Sequence, residues 1–203
     1  MVQLLTQFDT YQAFINEINT DLNFLEPMLQ TKEQMECNLK RSLTSQDQVP
    51  LGVFSGNAMT GLFVFQIIKE DRYIEMLVGL SREPDAYEEI ADWLQTHYSG
   101  YQVDFVFNPR NRAIRPMLQK RGATFFPEQM KMVLTENTVS VDTAGIEPLS
   151  EQYRDQYIAM HSTDCYWTGD KVANALDTFD VFLALDARSV VGYIDVTRNN
   201  EEN

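Results

Sequence analysis

The fold is decided by the middle of the chain, which reads RYIEMLVGL at residues 72–80, PDAYEEIADWLQTHY at 84–98 and YQVDFVF at 101–107. The first and third segments have the length and apolar content of β-strands. The second has apolar residues at helical spacing and a proline suited to a first turn. A further helix is predicted over 111–121, ending at Gly122, where a left-handed residue is favoured. Because a strand, a crossover helix and a second strand form a βαβ unit, we expect the two strands to pair in parallel.

The residues on either side of this stretch predict further helices and strands. Ser55-Gly56-Asn57 is typical of a hairpin turn, and Thr31 is a candidate helix cap. Trp93 and Phe105 are expected to be largely buried. The predicted elements are helices at 8–18 and 32–43 and strands at 51–54, 59–68, 123–126 and 130–134.

The second helix of the middle stretch resembles a segment of a known family. NRAIR at 111–115, followed by QKRG at 119–122, resembles the N-x-x-A-I … E-K-x-G-F segment of the GNAT superfamily of N-acetyltransferases. The resemblance implies a mixed α/β (α+β) sheet with the GNAT-like acyl-CoA N-acyltransferase fold. It also implies transfer of an acetyl group from acetyl-CoA, as co-substrate, to the amine of a small molecule or peptide.

The resemblance also implies site residues. Glu75, on the central strand, corresponds to a glutamate that serves as general base in the family, and its alternative is an exposed strand carboxylate. Met76, Leu77 and Val78 correspond to the strand whose backbone pairs with the pantetheine arm, although their side chains suit a core equally well. Asn111 matches an asparagine that positions the cofactor, or it is a cap or loop residue.

The loop after the central strand departs from the family pattern. The family has a glycine-rich loop there, whose backbone N–H groups hold the CoA pyrophosphate. Residues 81–89 contain no glycine, and Pro84 removes a donor. Arg82, the candidate cofactor-binding cation, opposes four carboxylates, which belong to Glu83, Asp85, Glu88 and Glu89. We therefore expect weak or no acetyl-CoA binding, and the alternative function is a non-catalytic GNAT-like binding or dimerisation module with a degenerate CoA site.

The family's usual acid, a tyrosine of the second helix, is replaced here by Met117 or Leu118. This is a second departure from the catalytic pattern, and it also favours the non-catalytic alternative.

A polar segment divides the chain and precedes a repeat of the first hairpin. We predict a first module at 1–135, a linker at 136–144 and a partial second module at 145–203. VFSGNAMTGLFVF at 53–65 aligns without a gap on ALDARSVVGYIDV at 184–196, which places Gly61 over Gly192. The chain is thus predicted to hold one complete GNAT-like module and the N-terminal half of a second. Elements predicted in that half are helices at 151–161 and 170–176 and strands at 181–185 and 190–196.

The last predicted strand, 190–196, would lack the neighbour that a fourth strand provides. An unpaired apolar strand tends to associate unless something covers it. The half-module could pack against the first sheet within the chain, or two chains could pair about a two-fold axis. We expect a homodimer.

Composition narrows the remaining function classes. The formal net charge is −14 for 203 residues, which argues against nucleic acid or an anionic membrane as partner. No apolar run has membrane-spanning length.

Cys37 and Cys165 are far apart, so no disulfide framework is expected and a cytoplasmic location is predicted. Two histidines and two cysteines do not make a metal site. A nucleophilic pair of His161 and Cys165 is disfavoured, because it also needs an oxyanion site and an orienting group.

Overall fold

The computed structural model describes residues 1–29, 31–129, 142–163 and 165–197. The chain divides into two compact units, Met1–Met132 and Val133–Asn203. The predicted strand at 130–134 and most of the predicted linker lie outside the described residues.

The first unit contains a five-stranded mixed sheet in the order β1-β2-β3-β4-β5. Its strands are β1 Val2–Leu4, β2 Gln48–Ser55, β3 Ala58–Ile68, β4 Tyr73–Leu80 and β5 Gln102–Phe105, and its helices are α1 Gln12–Asn19, α2 Lys32–Thr44, α3 Pro84–His97 and α4 Arg115–Lys120. Strands β1 to β4 pair antiparallel, and β4 pairs parallel with β5 across the α3 crossover. The predicted mixed α/β sheet and the parallel pairing are confirmed.

The helix ends follow local signals that the sequence carries. Thr31 forms a capping box with Gln34 at the start of α2, so two otherwise unpaired backbone donors are satisfied. Pro84 occupies the first turn of α3, where its missing N–H costs nothing. Gly122 has a φ of +70° just after α4, as predicted for a residue that ends a helix.

Three predictions beyond β4 are wrong in extent or kind. Strand β5 covers only four residues of 101–107. The second helix begins at Arg115 rather than at Asn111, because Pro116 is tolerated only in a first turn and Asn111 Oδ1 accepts from the Ala113 N–H in the preceding turn. Residues 123–129 form no strand, and no described strand pairs with them.

The sheet of the first unit is covered by apolar side chains on both faces. Phe63 and Phe65 on β3 pack with Tyr87 and Ile90 of α3 on one face. The other face packs against α1 and α2 through Leu62, Val64, Ile15 and Leu39. Trp93 and Phe105 are only partly buried at the edge of the first cluster, so the prediction that they are largely buried is wrong in degree.

The second unit contains a three-stranded antiparallel sheet in the order β6-β7-β8. Its elements are β6 Ile146–Pro148, a 3-10 turn Glu151–Tyr153, α5 Arg154–Met160, α6 Gly169–Ala173, β7 Phe179–Asp186 and β8 Ser189–Thr197. Both helices are shorter than predicted, and the Ser150 side chain makes no cap bond. The predicted hairpin is present and slightly longer than expected.

The two hairpins share one register, residue for residue. Val53 pairs with Gly61 and Ala184 pairs with Gly192, and in each hairpin the register shifts at the next step toward the turn. The strand before each hairpin repeats the match, since Val2 pairs with Val53 as Ile146 pairs with Ala184. The hairpin alignment read from the sequence therefore describes equivalent backbone positions.

The turns of the two hairpins match in conformation as well. Gly56 has a φ of +59°, and Ala187, which the hairpin alignment places over it, has a φ of +54°. Whether the second unit is part of a second GNAT-like module stays a prediction.

Candidate functional site

Beyond Met76, strand β4 has no paired residue on β5, and we call this unpaired stretch beside β4 the separation between the two strands; it is the candidate site. The parallel pairing ends at Met76 with Phe105. On the other side of β4 the register shifts, because Val64 pairs with Val78 and Phe65 pairs with Met76. The residue between them has no partner on β3 and bends the strand at the point where the predicted pantetheine-binding residues lie.

The side chains of those predicted residues belong to the core. Met76 and Val78 are buried in the two apolar clusters on opposite faces of the sheet, and Leu77 is partly buried beside the second. Only the backbone of this segment is available for a ligand.

Glu26 occupies the separation between β4 and β5. This side chain is only 2% exposed, and its Oε2 accepts a hydrogen bond from the Gly79 N–H at 3.2 Å. Because Gly79 donates to Glu26 and not to β3, its N–H lies on the edge of β4 that faces away from β3. The other carboxylate oxygen accepts from the Met28 N–H at 3.2 Å. The chain thus fills a backbone donor position of β4 with its own carboxylate.

The connection between α1 and α2 is held in the separation by further bonds. The Glu26 N–H donates to Asn19 Oδ1 at 2.8 Å. Asn108, which follows β5, donates from Nδ2 to the Leu22 carbonyl oxygen at 3.0 Å. The segment around residues 20–29 is therefore tied to α1 on one side and to the end of β5 on the other.

Arg82, the predicted cofactor-binding cation, is committed within the chain. Its guanidinium forms ion pairs with Glu17 and, at 3.1 Å, with Asp21. The hydrogen bond that Arg82 donates to Glu17 is the largest of the interactions that raise the pKa of Arg82. The guanidinium also lies 5.8 Å from the ring centre of Phe24. A phosphate at the start of α3 would have to compete with two carboxylates for this charge.

Asn111, the predicted cofactor-positioning residue, uses both ends of its amide inside the chain. Its side chain is 2% exposed, and Nδ2 donates to the Tyr87 hydroxyl oxygen at 2.8 Å. Its Oδ1 accepts from the Ala113 N–H at 3.0 Å. Burial raises the pKa of Tyr87, so this hydroxyl remains protonated and donates to the Ser81 carbonyl oxygen at 3.3 Å. Asn111 therefore fastens α3 to the turn before α4.

Glu75, the predicted general base, belongs to a polar row that crosses four strands. Gln48 pairs with Gln66, Gln66 with Glu75, and Glu75 with Asp104. Directly paired residues point to the same face of a sheet, so the four side chains form one row. Burial, and then the charge of Asp104, raise the pKa of Glu75.

Asp104 is the better stabilised of the two carboxylates. It accepts hydrogen bonds from the Tyr73 hydroxyl at 2.9 Å and from Gln102 Nε2 at 3.1 Å. The row was not predicted, because only the strand register brings these residues together.

A second polar group lies within the second unit. His161 Nε2 is 2.9 Å from Asp195 Oδ2, and the Tyr157 hydroxyl donates to Asp195 Oδ1 at 2.9 Å. The other ring nitrogen of His161 is 2.9 Å from the Ser162 carbonyl oxygen. Both nitrogens face oxygen atoms rather than Cys165, whose Sγ lies 3.0 Å from the Trp167 carbonyl oxygen. Asp195 thus joins α5 to β8.

Within the described residues, no three His, Cys, Asp or Glu side chains are grouped in a way that could hold a metal ion. The helices in this part of the chain are all too short or too polar to cross a bilayer.

Comparison with known proteins gives similarity in structure alone. No family model matches the sequence, and no curated protein matches it. Glucosamine-6-phosphate N-acetyltransferase from Arabidopsis thaliana is similar at 14% identity and a TM-score of 0.44, over 66% of this chain and 98% of its own. A GNAT-family acetyltransferase from Streptococcus pneumoniae is similar at 21% identity and a TM-score of 0.40, over 60% of this chain and 82% of its own. Both similarities are of structure, at sequence identities below 25% and TM-scores below 0.5.

Proposed function

We propose that the first unit is a non-catalytic GNAT-like binding module whose cofactor cleft is closed by its own residues. The observation that carries this proposal is the hydrogen bond between the buried Glu26 carboxylate and the Gly79 N–H. In the family that the chain resembles, a pantetheine arm would pair with the backbone of this strand. A ligand there would have to displace a carboxylate that already satisfies the edge donor.

The phosphate end of the cleft supports the same proposal. Arg82 is paired with Glu17 and Asp21, and Lys120 pairs with Glu88 at 3.1 Å. The loop adds further carboxylates and contains no glycine whose backbone could approach a phosphate. A pyrophosphate would thus meet acidic side chains and cations that are already neutralised.

Calorimetry with acetyl-CoA on the full chain tests this proposal. We expect no binding heat from the wild-type protein at hundreds of micromolar ligand. The Glu26→Ala variant frees the Gly79 N–H and is expected to gain measurable binding, whereas Glu33→Ala, an exposed carboxylate of α2, is the matched control. Micromolar binding by the wild-type protein would refute the proposal, and this measurement does not depend on the folding of any variant.

A second candidate function is supported by Glu75. An acetyltransferase would use acetyl-CoA as co-substrate and the amine of a small molecule or peptide as acceptor. The amine attacks the thioester carbonyl carbon, Glu75 takes the amine proton, and the thiolate of CoA leaves. The raised pKa of Glu75 beside Asp104 suits a base of this kind. Acetyl transfer by the wild-type protein that is lost in Glu75→Gln would favour this function over the first.

We also propose a cytoplasmic location. Neither Cys37 nor Cys165 forms a disulfide, which is usual in a reducing compartment. Fractionation of cells that produce the tagged protein tests this part of the proposal.

A further inference from the structure

One face of the second unit's sheet is apolar and exposed. Pro148 pairs with Phe182, which pairs with Ile194, so these side chains form one row on the same face. Ile146 lies two residues before Pro148 on β6, and Val196 lies two residues after Ile194 on β8. Both side chains therefore extend the same face. We call these five residues the outward face. Ile194 is 59% exposed, Val196 and Ile146 are each 46% exposed, and Phe182 is 39% exposed.

The equivalent positions in the first unit are core. In the hairpin alignment, Leu51, Phe63 and Phe65 correspond to Phe182, Ile194 and Val196, and these three residues of the first unit are 0% exposed. They pack with residues of α3 and α4, including Tyr87 and Ile90. The same positions in the same register are thus covered by two helices in one unit and exposed in the other.

The helices of the second unit lie on the other face of its sheet. Tyr157 of α5 and Val172 of α6 cluster with Val181, Leu183 and Val190. These strand residues alternate with those of the outward face. Among the described residues, β8 pairs with β7 alone, whereas its equivalent β3 pairs with both β2 and β4. The second unit therefore has one helical layer, and the described residues supply no second layer.

We propose that the outward face binds the same face of a second copy of this chain about a two-fold axis. Every copy presents an identical apolar face, and a two-fold interface is self-complementary by construction. Two sheets packed face to face interdigitate such side chains at a spacing of about 10 Å. This proposal depends on the second unit alone and is independent of the proposed function of the first.

The positions of the charges on the outward face permit two copies to meet there, although the chain as a whole is acidic. The carboxylate of Asp195 belongs to the inner face, where it accepts from Tyr157. Asp180, paired with Val196, and Asp186, paired with Ser189, are the carboxylates of β7 on the outward side, and they lie at the two ends of the strand. The centre of the face around Phe182 and Ile194 is apolar, so like charges of two copies meet at the margin.

The area is that of a modest, reversible interface. The exposed fractions correspond to on the order of 450 Å² of apolar surface per copy, which is the size of the largest apolar patch on a typical monomer, and such a patch is often functional. Two such faces with their polar margins approach the roughly 1,000 Å² that a specific interface needs. We therefore expect a dimer that dissociates in the micromolar range.

Sedimentation equilibrium of the full chain between 1 and about 100 μM tests the proposal. We expect a monomer–dimer equilibrium in the wild-type protein. Ile194→Asp, at the centre of the outward face, should weaken the dimer at least tenfold, because a buried unpaired carboxylate is costly. Leu22→Asp is the matched control, since Leu22 is 65% exposed and belongs to the first unit. It should leave the equilibrium unchanged.

Three results would overturn the proposal. One is a wild-type protein that remains monomeric at the highest concentration, and another is a dimer that Ile194→Asp does not weaken. If Ile194→Asp unfolds the protein by circular dichroism, Val196→Lys is the second variant. Unfolding of both variants would mean that the face is buried within a single folded chain, which also contradicts an interface between copies.

Discussion

The two hairpins of this protein have the same backbone and different surroundings. Their turns, their register shifts and the strands that precede them match position by position. Phe63 is nevertheless 0% exposed, whereas its equivalent Ile194 is 59% exposed. Strand pairing is set locally by the turn and the register, whereas burial of a sheet face depends on which elements follow in the chain.

The faces of the two sheets that pack against α1 and α2 in the first unit, and against α5 and α6 in the second, also differ. The face in the first unit is apolar at a position where the second unit has a hydrogen-bonded carboxylate. Ile15 lies four residues after a 3-10 turn of the first unit, Asp9–Tyr11, and Tyr157 lies four residues after that of the second. Their partners on the sheet correspond as well, since the hairpin alignment places Val64 over Asp195. An apolar helix–sheet contact in the first unit is thus replaced by a hydrogen-bonded group in the second. In the second unit Asp195 adds a hydrogen-bonded link to the apolar contacts that Tyr157 of α5 makes with the sheet.

The largest expected difference in stability comes from shortening Ile194 on the outward face and its equivalent Phe63 in the first unit. Phe63→Ala should lower the free energy of unfolding of the first unit by about 3–5 kcal/mol, because it leaves a cavity beside Tyr87 and Phe65. Ile194→Ala should change the stability of the second unit by no more than about 0.5 kcal/mol when the chain is monomeric. Urea unfolding at low protein concentration measures both. Equal losses at the two positions would break the comparison.

A smaller difference is expected from the equivalent glycines of β3 and β8. A Cβ added to Gly61 would lie 2.6 Å from the Phe63 ring and 3.1 Å from the Ala86 Cβ, whereas one added to Gly192 would meet only the Ala184 Cβ, at 3.7 Å. Gly61→Ala should therefore destabilise the first unit by about 1–3 kcal/mol through overpacking. Gly192→Ala should be neutral or slightly stabilising. Thermal unfolding of the two variants measures both effects. If Gly192→Ala lost as much stability as Gly61→Ala, a further layer of the protein would have to cover β8.

The smallest expected effect concerns a partly buried acid in each unit, Glu75 in the first and Asp195 in the second. Because the folded-state pKa of Glu75 is raised, folding favours its protonated form, and ionisation lowers stability. This loss of stability is absent below pH 4.5, the ordinary pKa of a glutamate, and complete at pH values above the raised pKa of Glu75. Glu75→Gln should then stabilise the first unit by less than about 1 kcal/mol at neutral pH and leave it unchanged in acid.

Asp195→Asn is the contrasting variant for the same experiment. It weakens two hydrogen bonds to a carboxylate, so it should destabilise the second unit where Glu75→Gln stabilises the first. Unfolding measured from pH 4 to pH 8 separates the two effects. A gain from Glu75→Gln that is constant with pH would contradict the raised pKa as its cause.

The candidate site was only partly accessible to prediction. Glu75 was singled out from the central strand, but its neighbour Asp104 lies beyond α3 in the chain and meets it only through parallel pairing. Glu26 was missed, because it lies in a short apolar connection and reaches Gly79 across 53 residues. Nothing in the local pattern distinguishes a carboxylate that binds a strand edge from one exposed to water. The ion pairs of Arg82 were missed for the same reason, since its two partners lie 65 and 61 residues away.

The sequence by itself determined the elements whose signals are local. The proline and apolar spacing of 84–98 predict α3, the capping pattern at Thr31 predicts α2, and the hairpin turns with their gapless alignment predict equivalent strands. These signals act within a few residues and do not depend on the rest of the chain. Tertiary structure alone decided that Glu26 fills the separation between β4 and β5, and that the outward face is exposed while its equivalent is core. Both depend on elements far apart in sequence, and an apolar alternation is the same whether or not a helix later covers it.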